Sequence, residues 1–399
     1  MKRKLENEKL EENLNYEPTH FLRCHSRNND PADIRTQVWL CAFEPNPEDP
    51  QKTTRRFATC AGNSICIINA KTGTVQAKYN ADDIREMFYT IAWTTLVNLL
   101  EDTSYINILA CGGARGTIHL IHPSQGIAFL EQRVVKSVNV NISSLLFHPK
   151  KSNVLFCALS DGQVLTWDVT YPLSPNFTSQ LVPLITLESH SEIFALAFST
   201  QQKILLAACN NGLRGWNISH QTLEQKKDKL HVLIYHAYHH QLFQKDEEME
   251  LVDSVEVVTD TIVATKCALH GFIYLWDLKA TLASASKTVV LTHKLKWSDT
   301  DNYFMGIGLH REAQLLACGD DRGTIWLYDL KTVLEQTRKD VEPSMLLQWP
   351  EVRDKYLDHK RKLNLGVYDI VIDKVAVNWN GKYLVAVTNN NMVCIWQRS

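Results

Sequence analysis

Leu155-Phe156-Cys157-Ala158-Leu159-Ser160-Asp161-Gly162-Gln163-Val164-Leu165-Thr166-Trp167-Asp168 is the stretch on which the reading of this chain turns. Five apolar residues come first and read as a strand. Ser-Asp-Gly follows, and its glycine supplies the positive φ that a tight hairpin needs. A second strand then alternates and closes on Trp-Asp.

The same unit recurs along the chain. Ala317 to Asp329 turns at Gly323 and ends in Trp326-Leu327-Tyr328-Asp329. Ala264 to Asp277 turns at Gly271 and ends in Trp276-Asp277. Ala207 to Trp216 and Val385 to Trp396 are looser copies. Leu109 to Ile121 keeps Gly116 but lacks the aromatic, and Thr59 to Asn69 is the weakest, with Asn63-Ser64 at its turn. Each copy is preceded by another apolar strand: Val38-Phe43, Phe88-Trp93, Ile142-Phe147, Ile193-Phe198, Val252-Val257, Phe304-Leu309 and Lys374-Trp379.

A repeat of roughly 40 to 60 residues carrying Trp-Asp is the signature of propeller blades. A small sheet cannot bury both of its faces alone, so the copies must stack until a ring closes. Seven copies predict an all-β, seven-bladed WD-repeat β-propeller over residues 19–399, led by a charged segment, 1–18. A β-sandwich array is the competing architecture. Closure needs a latch, because an open edge strand invites aggregation; Thr19 to His25 is expected to supply the outer strand of the last blade. Asp49 to Arg56, His220 to Glu250 and Lys331 to Arg361 read as charged insertions, surface loops or short helices on a rigid scaffold.

Composition narrows the function classes. Of 399 residues, 45% are hydrophobic and 22% charged, with a net charge of −2, so no overall positive field exists to hold a nucleic-acid backbone. Direct DNA contact is left to a local patch. No apolar run approaches the roughly 20 residues that span a bilayer, and Met1-Lys2-Arg3-Lys4 opens no secretory signal. The ten cysteines contain no CxxC pair and sit mostly in strand-like runs, which suits small buried hydrophobes in a reducing compartment.

Catalytic patterns are missing: no phosphate loop, no GxSxG, no HExxH, no dinucleotide fingerprint. Gly112-Gly113-Ala114-Arg115-Gly116 is a blade hairpin. His231, His236, His239 and His240 fall in a polar insertion without Cys or acidic partners at ligand spacing, so a solvated loop is the expectation there. Asp168, Asp277 and Asp329 stand beside aromatics at strand ends, where a structural role is expected. Neither an enzyme nor a cofactor is implied.

Aromatics outside the core pattern carry more. The first strands of blades one, two and six begin with Trp39, with Phe88-Tyr89 and with Tyr303-Phe304, near one mouth of the central channel. Rings converging there would attract a methylated ammonium, whose methyl groups weaken its hydration. Read from periodicity alone, ordinary blade packing is the favoured account of them.

The stretch Phe21-Leu-Arg-Cys-His-Ser-Arg-Asn-Asn-Asp-Pro-Ala-Asp-Ile-Arg-Thr-Gln-Val-Trp-Leu-Cys-Ala-Phe-Glu-Pro45 resembles the propeller opening of the leucine-rich-repeat and WD-repeat family associated with the origin recognition complex. Tyr89-Thr90-Ile91-Ala92-Trp93-Thr94, Leu295-Lys296-Trp297-Ser298 with Tyr303-Phe304, and Cys318-Gly319-Asp320 through Asp329 extend the likeness from about residue 19 to the end. A more distant similarity links Phe88 to Thr94, Gly116, Ile121-His122-Pro123 and Leu146-Phe147-His148-Pro149 to the Polycomb embryonic-ectoderm-development propeller. That resemblance implies a trimethyl-lysine cage, whose positions fall on Trp39, Tyr89, Tyr303 and Phe304. Residues 1–18 hold no leucine-rich period, which sets aside any activity that such repeats carry in the family.

The expectation is therefore a nuclear, chromatin-associated adaptor. It would bind trimethylated-lysine histone tails and subunits of the origin recognition complex, helping to hold that complex on heterochromatin for DNA replication. A scaffold without histone readout, or a Polycomb-type partner of a histone methyltransferase, is the alternative.

Overall fold

The computed structural model describes residues 15–27, 30, 32–98, 104–170, 179–219, 232–235, 251–284, 289–350 and 370–399. They form seven sheets, each built on four antiparallel strands in blade order. Blade one is Val38–Asn46, Asp49–Ala61, Ser64–Asn69 and Thr74–Asn80; blade two starts at Phe88–Asn98, blade three at Ile142–Phe147 and blade four at Ile193–Ser199. The inner strands of the remaining blades are Ser254–Val257, Gly308–His310 and Ile372–Val377.

Ring closure is visible in how the apolar residues are shared. Each of the seven buried clusters straddles one seam between neighbouring blades, the last joining Val38, Phe43 and Phe57 to Tyr383, Val385 and Ile395. Strand Ile204–Cys209 shows why its sequence is apolar throughout. Leu205, Ala207 and Cys209 enter the seam with blade three, while Ile204, Leu206 and Ala208 enter the seam with blade five. Hydroxyls tie successive inner strands together: Leu145 N–H donates to Thr90 Oγ1 (3.0 Å) and Ile307 N–H to Ser254 Oγ (3.0 Å).

Gly162, at the turn between Leu159 and Gln163, has φ +90°, and a Cβ there would meet the Ser191 carbonyl oxygen at 2.6 Å. Both facts exclude a side chain.

The latch forms. Strand Tyr16–Leu22 pairs antiparallel with Val393–Arg398 in blade seven, from Tyr16 opposite Arg398 to Leu22 opposite Val393. It begins inside the segment read as a charged lead-in, because Tyr16 is apolar enough to sink into the seam of blades six and seven; the rest of that lead-in, 1–14, lies outside the described residues.

Two insertions are corrected. Asp49 to Arg56 is no loop: it opens the long strand Asp49–Ala61, paired back to Asn46. Its charges sit on the exposed rim of a hairpin, where polar side chains and extended backbone coexist. Lys331 to Arg361 opens in a short helix as expected, Leu330–Glu335, but then supplies Asp340–Val341, which adds a parallel strand to blade five, and Met345–Gln348, the fourth strand of blade six; 351–361 lie outside the described residues. Outer strands face solvent, so their apolar signal is weak. From His220 to Glu250 the described residues are Val232–Tyr235, the fourth strand of blade four; the histidine cluster lies outside them.

Asp277 and Asp329 cap the helices Leu278–Ala283 and Leu330–Glu335, their side chains accepting from Ala280 N–H and Lys331 N–H. Asp168 accepts from the Asn153 amide. All ten cysteines are free thiols, and nine are buried. No helix among the described residues is long and apolar enough to cross a membrane.

Candidate functional site

The inner strands share an irregularity that alternation cannot reveal. In blades one, two, three, four and seven the pairing with the next strand skips one residue near the start: Trp39, Tyr89, Ser143, Phe194 and Asp373. Such a bulge re-aims the side chain of the extra residue. The five side chains therefore occupy equivalent places around one mouth of the channel, whose cavity of about 1270 Å³ they line together with Asp253 and Phe304.

At that mouth the rings meet. Trp39 stands edge-on to Tyr89, centroids 5.2 Å apart with planes at 78°, and edge-on to Phe304 at 6.3 Å and 88°. Phe304 packs on Tyr303 at 4.7 Å and on Phe194 at 5.4 Å. Of the four residues singled out in the sequence, Trp39, Tyr89 and Phe304 touch one another in a chain. Tyr303 joins through Phe304 and Phe194 and is not among the residues lining the channel.

Phe194 was missed by the sequence reading. Its signal was present: Ile193-Phe194 opens the fourth inner strand as Val38-Trp39 and Phe88-Tyr89 open the first two. Phe194 belongs to the cluster on geometry as fully as they do.

The cluster is part core and part open: Trp39 packs against the buried cluster between blades one and two, while Tyr303 and Phe304 remain 47% and 44% exposed, and Phe304 sits at φ 76°, in the left-handed region that bulky residues avoid. An exposed aromatic held in a strained backbone is the kind of outlier that marks binding sites. Burial, and then the neighbouring Glu86 carboxylate, raise the Tyr89 phenol above its ordinary value.

Charge along the channel leans negative. Glu192, Asp253, Glu256, Asp260 and Asp373 line it against Lys150, Arg311 and Lys374. Lys374 pairs with Glu256 and Arg311 with Asp260, each at 3.5 Å. Asp253 is wholly buried with Lys266, whose ammonium lies 4.4 Å over the Trp297 ring. Burial pushes the Asp253 carboxyl up and Lys266 opposes it.

One group of metal-type ligands occurs among the described residues: Cys24, His25 and Cys66, with ligand atoms within 4.8 Å of one another. Both His25 nitrogens are occupied, at 2.7 Å by the Ser64 hydroxyl and at 2.8 Å by that of Thr59. The imidazole thus pins the chain after the latch onto blade one.

A family model for the WD domain of leucine-rich repeat and WD repeat-containing protein 1 matches residues 9–399. The chain belongs to this family. A member from Xenopus laevis, leucine-rich repeat and WD repeat-containing protein 1, is 33% identical over 96% of the chain and 53% of its own length. The chain thus spans about half the length of the curated family members it matches. More distantly, the Polycomb protein esc of Drosophila virilis is 20% identical over 83% of the chain and 78% of its own length. Among solved structures, a chain of a humanized mutant of the Chaetomium thermophilum Polycomb Repressive Complex 2 superposes with a TM-score of 0.67 at 12% identity, covering 96% of this chain and 97% of that one. At that identity the likeness concerns the fold. The matched family model is that of a WD domain and not of a catalytic one.

Proposed function

We propose that the protein is a nuclear chromatin adaptor whose ring cluster takes a trimethylated lysine of a histone tail. Other faces bind subunits of the origin recognition complex and help hold it on heterochromatin for replication. The observation carrying this reading is the meeting of Trp39, Tyr89 and Phe304 at an open channel mouth. Their residues lie far apart in the chain and meet only through the fold. Each ring facing an alkylammonium contributes about 0.5–2 kcal/mol. Kinship with the leucine-rich repeat and WD repeat-containing family supports the chromatin setting.

The test is a titration of histone peptides, trimethylated and unmodified, against the wild type and Tyr89→Ala. Preference for the methylated peptide, weakened by the substitution, is expected. Equal affinity for the two peptides overturns the reading, as does indifference to the substitution.

The edge-on contacts of Trp39 with Tyr89 and Phe304 favour a second reading, a scaffold in which these rings only pack. Tyr89→Ala would then lower the melting temperature and leave peptide binding untouched.

A further inference from the structure

Asp373 occupies in blade seven the bulge position that Trp39, Tyr89 and Phe194 occupy in blades one, two and four. Blade seven lies between blades six and one, and the Phe304 and Trp39 rings of those two blades meet at 6.3 Å. Asp373 is bound to both sides of that meeting. Its carbonyl accepts from Gly306 N–H (2.8 Å), two residues beyond Phe304. Its Oδ1 accepts from the Gln37 amide (2.8 Å), two residues before Trp39. It lines the same channel and is 3% exposed. Its second oxygen, Oδ2, is sealed from solvent and has no hydrogen-bond partner among the described residues.

Neighbouring cations are engaged elsewhere. The Lys374 ammonium donates to the Ile307 carbonyl and faces Glu256. Lys266 is spent on Asp253, and Arg311 on the Val257 carbonyl and Asp260. Burial holds the Asp373 carboxyl well above its ordinary range, with only the Gln37 bond pulling the other way. A buried acid with an idle oxygen is costly unless something supplies a donor or a positive charge.

We propose that Asp373 is a selecting residue of the ring site, accepting the N–H of a mono- or dimethylated lysine ammonium, so that the site takes the dimethyl as well as the trimethyl state. This rests on the reading that the rings hold methylated lysine. A trimethylammonium has no N–H to give and gains only diffuse attraction from the carboxylate. A dimethylammonium gains a charge-assisted hydrogen bond as well, while its two methyl groups keep their contact with the rings.

One histone peptide in unmodified, mono-, di- and trimethyl forms is titrated against wild type, Asp373→Asn and Asp373→Glu. The amide keeps the shape and can still accept from Gln37. Asp373→Asn is expected to lower dimethyl affinity by about tenfold, with a much smaller loss for the trimethyl peptide. Asp373→Glu should restore part of the dimethyl affinity. Asp373→Ser, which also removes the carboxyl, serves if the amide variant fails to fold. An equal loss for all methylated forms makes Asp373 a mere brace between blades and overturns the proposal, as does no loss at all. A wild type that ignores methylation altogether fells the ring reading, and this proposal with it.

Discussion

Phe304 reaches Trp39 edge to face at 6.3 Å although a whole blade separates the strands that carry them. The contact exists because Phe304 leaves its blade at φ 76°, ahead of the short inner strand Gly308–His310, and leans across the mouth.

That strain makes Phe304→Gly informative. A left-handed conformation costs a non-glycine residue roughly 1–2 kcal/mol, and the ring is 44% exposed. The expected melting temperature is equal to the wild type or higher, while affinity for methylated peptide falls. A melt lowered by several degrees would instead make the ring part of the fold.

Lys266 and Asp253 form an ion pair with both side chains fully buried. Removing one partner strands the other charge, at about 3–5 kcal/mol. Lys266→Met should therefore lower the denaturant midpoint sharply. Adding Asp253→Asn should recover part of that loss, so the double variant unfolds later than the sum of the single effects predicts.

The latch carries ring closure. Tyr16 is 5% exposed, and its hydroxyl donates to the Gly381 carbonyl at 2.5 Å. Tyr16→Ala should cost about 3 kcal/mol. Removing residues 1–22 bares the edge of Val393–Arg398 and should yield oligomers in size-exclusion chromatography.

Asp373 also makes a prediction in pH. Its carboxyl titrates above the ordinary range in the fold and near 4 when unfolded. The folded state thus holds the proton more tightly, so the contribution is present below the unfolded value and is lost as pH rises through the folded one. Gln37 is neutral, and Lys374 on the same strand is turned to Glu256 and Ile307. Asp373→Asn should therefore raise the melting temperature at neutral pH, with the gain shrinking as pH falls toward 4. A constant difference across that range would mean the carboxyl does not titrate as its burial requires.

Blade units were legible wherever a strand lies between two seams, as in Leu205, Ala207 and Cys209 alternating with Ile204, Leu206 and Ala208. Outer strands were not. Met345–Gln348 passed for an insertion because one face of it meets water and the apolar count drops, and Asp49 to Arg56 because the second strand of blade one runs on into a charged hairpin end. Within the site, Trp39, Tyr89, Tyr303 and Phe304 were found by family resemblance and by their place at strand starts. Phe194 and Asp373 were passed over: Phe194 repeats the strand-opening place of Trp39 and Tyr89 but carries no family match, and a lone acid at a strand start has no pattern of its own.

Blade number, all-β class and closure by the N-terminal strand were thus written in the sequence, because turn glycines and period-two burial are local rules that repeat. Which side chains face one another across the mouth was decided by the tertiary structure alone. Residues 39, 89, 194, 304 and 373 become neighbours only when the ring shuts. The bulges that aim four of them break the alternation from which strands are read, so the residues that matter most at the mouth are those the strand pattern hides.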